Sequence, residues 1–331
     1  MVCSKNSLRL KIGSLFLVAL EGKTLTEEEK EALSLFGLKH FIFFSRNLGS
    51  YTETRALLQE IEALAGKGLR AIDQEGGPVC RLKPPYFPNL KAPFSLAQEK
   101  DPEKAVAKEA SLCANELKRW GFNLNLAPVL DLGGEKTPSF LKGRTFGEDP
   151  KKVAVLARIY IKTFKKAGLL SCAKHFPGLG GVKNDPHYSL PVKEAIEEKD
   201  LLPFREAIKA GVPAIMTTHL LIPSWDEAPV TFSPKLVSFL RRKLHFKGLI
   251  LTDDLFMGGA LEMANLEEAV LRAFLSGHDL LLLCGSFQES LKVLSNFADE
   301  SAKSTILLEK LFQKKDFIEK QICTLFSKSI T

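Results

Sequence analysis

Three polar clusters in this chain have the residue types and spacing to do chemistry. They are Lys174-His175-Phe176-Pro177-Gly178, Asp185-Pro186-His187 and Thr252-Asp253-Asp254. Pro186 biases Asp185 toward extended backbone, where residues i and i+2 point to the same side. Asp185 is therefore placed to hold His187 as an orienting carboxylate holds a general acid/base. A solvated loop with a chance Asp/His pair is the simpler account on spacing alone. Asp253 and Asp254 close an apolar run, and strand alternation sends them to opposite sides, so one of them faces the centre. A carboxylate opposite a His/Asp pair permits a two-step displacement. The carboxylate attacks to form a covalent intermediate, and the histidine first gives and then takes a proton. We assign that part to Asp253 and expect Asp254 to cap a helix starting near Leu255.

Eight short apolar runs must position these clusters: Leu15–Leu20, His40–Ser45, Leu69–Ile72, Leu124–Leu130, Leu169–Ala173, Ala214–Thr217, Gly248–Leu251 and Asp279–Cys284. Runs apolar on both faces and joined by helix-length amphipathic segments read as parallel, buried strands. Eight such units predict an α/β fold, a closed (β/α)8 TIM-type barrel, with a doubly wound open sheet as the main alternative. Polar residues follow seven of the runs: Glu21, Arg46, Asp73, Asp131, Lys174-His175, His219 and Asp253. In a barrel they would converge on the face where such folds do their chemistry. About half of them are expected to be structural, capping helices or pairing beneath loops.

The 331 residues exceed the usual length of one domain, but barrels are a known exception, and we read residues 1–331 as a single domain ending in a helix over about 303–326. Lys and Arg number 46 against 39 Asp and Glu, a net +7, yet the charges interleave as on exposed helix faces (Glu27-Glu28-Glu29-Lys30). No basic patch carries interleaved aromatics, so a nucleic-acid partner is not expected. Cys3, Cys80, Cys113, Cys172, Cys284 and Cys323 form no CxxC pair and read as buried free thiols in a reducing compartment. Leu15–Leu20 follows Lys5, Arg9 and Lys11 as a signal peptide would, but acidic residues come directly after it without a small-residue cleavage site, so we read it as the first strand. No run reaches membrane-spanning length, and the expected location is cytoplasmic.

Five motifs then fall in a fixed order: Ile72-Asp73-Gln74-Glu75-Gly76-Gly77, Arg144-Thr145-Phe146-Gly147-Glu148-Asp149-Pro150, Lys174-His175-Phe176-Pro177-Gly178, Asp185-Pro186-His187 and Thr252-Asp253-Asp254-Leu255-Phe256-Met257. Over about Ile12 to Gly285 the chain resembles the single-domain bacterial β-N-acetylglucosaminidases (β-N-acetylhexosaminidases) of glycoside hydrolase family 3. The resemblance implies a TIM-type barrel and a retaining mechanism, with Asp253 as nucleophile and His187 as acid/base supported by Asp185. It implies that Asp73, Arg81, Arg144, Lys174 and His175 hold the hydroxyls of a terminal N-acetylglucosamine, with His219 and Met257 near the pocket. Cations paired with Asp73 can bracket vicinal hydroxyls by charge-assisted hydrogen bonds. A buried salt-bridge network is the structural alternative for the same residues.

The family loop Pro-Gly-His-Gly-Asp reads Pro177-Gly178-Leu179-Gly180-Gly181 here, Asp-Ser-His reads Asp185-Pro186-His187, and Gly-Gly-Arg-Val becomes Gly77-Pro78-Val79. The expected activity is exo-acting removal of β-linked N-acetylglucosamine from peptidoglycan-derived fragments, with no cofactor or metal, a small carbohydrate as partner, no nucleic acid or membrane, and a monomer. A histidine is neutral after protonating the leaving group and would not repel phosphate, so phosphorolysis stands beside hydrolysis. The alternatives are a β-glucosidase, a Schiff-base lyase using Lys174, and a non-catalytic sugar-binding barrel.

Overall fold

The computed structural model describes residues 5–134 and 137–327. Eight parallel strands close into a barrel: β1 (Phe16–Ala19), β2 (His40–Phe43), β3 (Arg70–Ile72), β4 (Leu124–Asn125), β5 (Leu170–Phe176), β6 (Ala214–Thr217), β7 (Leu249–Asp254) and β8 (Leu280–Leu283). Each strand pairs with its sequence neighbours. The ring closes where Phe16 of β1 lies opposite Leu281 of β8 and Leu17 opposite His40 of β2. This is the predicted (β/α)8 fold, and the open-sheet alternative is excluded.

The strand boundaries differ most from expectation at β4, β5 and β7. The run 124–130 leaves the ladder after Asn125 because Pro128 has no N–H to donate; the chain stays beside β5 through Lys174 N to Pro128 O (3.1 Å) and Leu130 N to Lys174 O (2.6 Å). Conversely β5 runs on to Phe176 and β7 to Asp254, so Lys174, His175 and Asp253 lie within their strands rather than past them.

The connecting helices start on sequence-encoded caps. Thr26 and Ser50 form capping boxes with Glu29 and Glu53. Asp149, at the end of the Arg144–Pro150 motif, caps the helix Pro150–Ala167, whose proline sits at the first turn. The last helix, Thr305–Ser327, buries Leu307, Leu311, Ile318 and Ile322 along one stripe, close to the predicted bounds. Between strands and helices, rings meet edge to face, as Phe297 does with Phe16 (5.6 Å) and Phe274 (5.2 Å). Of the cysteines, Cys113 and Cys172 are buried as expected, Cys80 and Cys284 are half-buried, and Cys323 is exposed on the last helix, off its apolar stripe; Cys3 lies outside the described residues. Among the described residues no helix is long and apolar enough to cross a membrane.

Candidate active site

A cavity of about 370 Å³ opens at the C-terminal ends of the strands. Its wall includes Asp73, Glu75, Arg81, Arg144, Lys174, His175, His187, Asp253, Asp254 and Met257, so nearly every predicted site residue converges on it. The volume falls within the range of small-molecule pockets.

Its floor is an ion network. Lys174 Nζ lies 2.7 Å from both Asp73 Oδ1 and Glu75 Oε1, and Arg144 grips Glu75 through two bonds of 2.8 Å. Arg81 Nη2 donates to Asp73 Oδ2 at 3.1 Å while its guanidinium stacks over Phe44. Burial alone would raise the two carboxyls, but the surrounding cations outweigh it: Asp73 is held well below its ordinary value and Glu75 near about 2. Burial likewise opposes charge on Lys174, and Asp73 and Glu75 outweigh it, raising its pKa. A lysine kept charged between two carboxylates is a poor Schiff-base nucleophile, which counts against a lyase.

Local structure makes this geometry. Asp73 directly follows β3, and the chain then folds into a hairpin, Gln74–Gly76 against Val79–Cys80. Gln74 Oε1 accepts from Arg81 N (2.9 Å) and Leu82 N (3.0 Å), while Asn125 of β4 clasps the Gln74 backbone in both directions (2.9 Å each). The hairpin thus returns Arg81 to Asp73. Sequence reasoning missed Glu75; its signal was the Asp73-x-Glu75 spacing, which puts two carboxylates on one side of an extended segment.

Asp131 was noted only as a strand-end residue. It is fully buried, with Oδ2 2.7 Å from His175 Nδ1 and Oδ1 accepting from Leu179 N at 2.7 Å. One carboxylate therefore fixes the His175 ring and the Gly-rich loop together, leaving Nε2 as the ring nitrogen for a ligand.

Asp185 and His187 pair as predicted, Oδ1 to Nδ1 at 2.6 Å, but not by an extended segment. Residues 185–188 form a turn in which Asp185 O accepts from Tyr188 N (3.0 Å) and Asp185 Oδ1 from His187 N (3.0 Å). Pro186 suits the second position of such a turn, and the Asx bond supplies the proximity assigned to alternation. The turn is docked: Gly258 N donates to His187 O and Gly259 N to Pro186 O, both at 2.9 Å. A Cβ on Gly258 would lie 2.4 Å from Tyr188 O, so this approach requires glycine.

Asp253 faces the cavity, its Oδ1 accepting from Asp254 N (2.9 Å), and it joins no ion pair among the described residues. Asp254 does not cap a helix as expected. Its Oδ1 accepts from Phe256 N (3.1 Å) and Cys284 N (2.9 Å), closing the turn after β7 and tying it to β8; the next helix begins only at Gly258. Burial pushes its pKa up to about 6. His219 is also corrected: fully buried, it does not line the cavity. Its Nε2 donates to Asp254 O (2.8 Å) and its Nδ1 lies 2.7 Å from Thr231 Oγ1, with burial lowering its pKa and keeping the ring neutral. His219 supports the backbone that presents Asp253. Glu21 and Arg46 do not line the cavity either, bonding Phe287 N (2.5 Å) and Leu20 O (3.0 Å). Among the described residues no group of three or more His, Cys, Asp or Glu side chains is arranged to hold a metal ion.

Residues 7–314 match the profile of the glycosyl hydrolase family 3 N-terminal domain. The chain is 36% identical over 288 residues to a β-hexosaminidase of Photobacterium profundum, covering 86% of this chain and 85% of that one, and 36% identical over 306 residues to a β-hexosaminidase of Alkalilimnicola ehrlichii, covering 89% and 87%. Among solved structures it superposes on NagZ from Neisseria gonorrhoeae in complex with N-trifluoroacetyl-D-glucosamine (TM-score 0.80, 31% identity, 92% of this chain and 89% of that one). It also superposes on a family 3 β-N-acetylglucosaminidase from Paenibacillus sp. str. FPU-7 (TM-score 0.85, 27% identity, 95% of this chain), of which it spans 62%. A closed barrel, a carboxylate-lined cavity at its C-terminal face and a profile match over most of the sequence place this chain in glycosyl hydrolase family 3, as a glycoside hydrolase.

Proposed function

We propose that the enzyme is a retaining, exo-acting β-N-acetylhexosaminidase that releases terminal β-linked N-acetylglucosamine from peptidoglycan-derived fragments. One observation carries the reading: a cavity sized for a sugar holds a carboxylate, Asp253, that joins no ion pair among the described residues, and an Asp-oriented imidazole, His187. In the first step an Asp253 carboxylate oxygen attacks the anomeric carbon as its bond to the leaving oxygen breaks. The His187 Nε2 proton passes to that oxygen, because Nδ1 is committed to Asp185. In the second step the neutral imidazole takes a proton from water, the water oxygen bonds to the anomeric carbon, and Asp253 departs. Asp73, Arg81, Arg144, Lys174 and His175 hold the ring hydroxyls, with Lys174 and Arg144 keeping their charge through Asp73 and Glu75. The names of the relatives support the N-acetylated sugar. The chain is read as one domain, acting as a monomer in the cytoplasm.

The test is hydrolysis of nitrophenyl β-glycosides of N-acetylglucosamine and of glucose, with and without phosphate. Preference for the N-acetyl sugar with free N-acetylglucosamine as product is expected. Preference for glucose would overturn the substrate assignment, and a sugar phosphate formed in phosphate buffer would make the enzyme a phosphorylase.

A further inference from the structure

Tyr188 is the most exposed large apolar or aromatic side chain among the described residues, at 84%. It directly follows His187, and the two ring centroids lie 6.5 Å apart at 53°. Nothing about its backbone is loose. Tyr188 N donates to Asp185 O (3.0 Å), its carbonyl rests against Gly258, and Leu190 N donates to Glu262 Oε2 at 2.6 Å two residues on. The two segments joined by these bonds carry further exposed apolar side chains, Val192, Leu261 and Met263. An exposed aromatic ring on a backbone fixed by these bonds, one residue from a side chain that lines the cavity, is a surface poised for contact.

The chemistry says which part of a substrate reaches it. If His187 gives its proton to the leaving oxygen, the leaving group lies on the outer side of His187, away from the buried ion network. We propose that Tyr188 is a specificity-determining residue, a stacking platform for the pyranose ring of the leaving-group sugar. This deepens the proposed hydrolase reading and rests on it. A tyrosine presents a large flat face at a cost of two side-chain torsions, and the fixed turn beneath it lowers the ordering cost of binding. The flat face of an aromatic ring suits the C–H face of a sugar rather than a phosphate or carboxylate.

Two substrates with the same glycon separate this role from loop architecture: N,N′-diacetylchitobiose, which has a leaving-group sugar, and N-acetylglucosaminyl fluoride, which has none. Tyr188→Ala is expected to lower kcat/KM for the disaccharide about tenfold, chiefly through KM, and for the fluoride less than twofold. Tyr188→Phe keeps both values, since stacking needs the ring and not the hydroxyl. Equal losses on both substrates in Tyr188→Ala would mean that the side chain acts through the His187 turn, and no loss on either that it binds nothing; each overturns the proposal. A wild-type enzyme that turns over neither substrate would instead overturn the hexosaminidase reading.

Discussion

The two ends of the barrel bury charge to opposite ends. At the N-terminal face, Asp279 at the start of β8 is fully buried between Arg241 and Lys314, and its Oδ2 also accepts from Ile250 N (2.7 Å). Arg241 donates further to Phe246 O (3.1 Å) and Gly248 O (2.6 Å) and lies between the rings of Phe246 and Phe317. Each of these groups is answered within the protein. At the C-terminal face the ion network is as dense, but it borders Asp253, which has no cation partner among the described residues, and His187, whose side chain is 59% exposed. Burial of charge therefore does not mark the active site; a network left incomplete toward a cavity does.

The contrast is broken first at the top. Asp253→Asn should lower kcat by about 10⁴-fold, the scale seen when a catalytic side chain is removed, while the melting temperature holds within about 2 °C. Steady-state kinetics and a thermal melt check both halves. His187→Ala should lose most activity on a disaccharide yet keep it on a glycoside with a good leaving group, because such a group needs no proton.

The mirror experiment is at the bottom. Asp279→Ala strands two cations and should cost about 3–5 kcal/mol of stability, with kcat per folded molecule unchanged; denaturant titration and active-site counting separate the two.

Much of this contrast was legible in the sequence. Strands apolar on both faces gave the barrel, and polar residues following the apolar runs gave Asp73, Lys174, His175 and Asp253, of which only Asp73 lies past its strand. Longer-range partners were not legible. Asp131 and Glu75 act through His175, Lys174 and Arg144, which reach them only after the strands close, and no local pattern reports such pairing. His219 misled because a histidine after a strand looks alike whether it faces the cavity or, as here, props up the Asp254 carbonyl. The Asp185–His187 pair was found by an argument whose geometry was wrong, since the Asx turn mimics the i, i+2 proximity of a strand.

A smaller effect sharpens the comparison. Glu75→Gln removes the carboxylate shared by Arg144 and Lys174 and should lower kcat/KM about 10–100-fold, the range found when a supporting partner is removed. It should also flatten the acid limb of stability. Glu75 titrates near about 2 in the folded state against an ordinary 4.5, so it binds fewer protons folded than unfolded; its contribution is present above pH 4.5 and is lost as pH falls toward 2. Asp254 has the opposite sign. Raised to about 6 from 3.8, it stabilises below about pH 4, and that contribution is lost as pH rises through 6. Asp254→Asn should therefore remove a decline in stability between pH 4 and 6, read from denaturant midpoints across pH.

The most direct test of the account is to trap the covalent intermediate. Incubation with a 5-fluoro N-acetylglucosaminyl fluoride, followed by intact mass measurement and peptide mapping, should give one sugar adduct on the peptide bearing Asp253 and none in Asp253→Asn. An adduct on another residue, or turnover with inversion of configuration and no adduct, would contradict it.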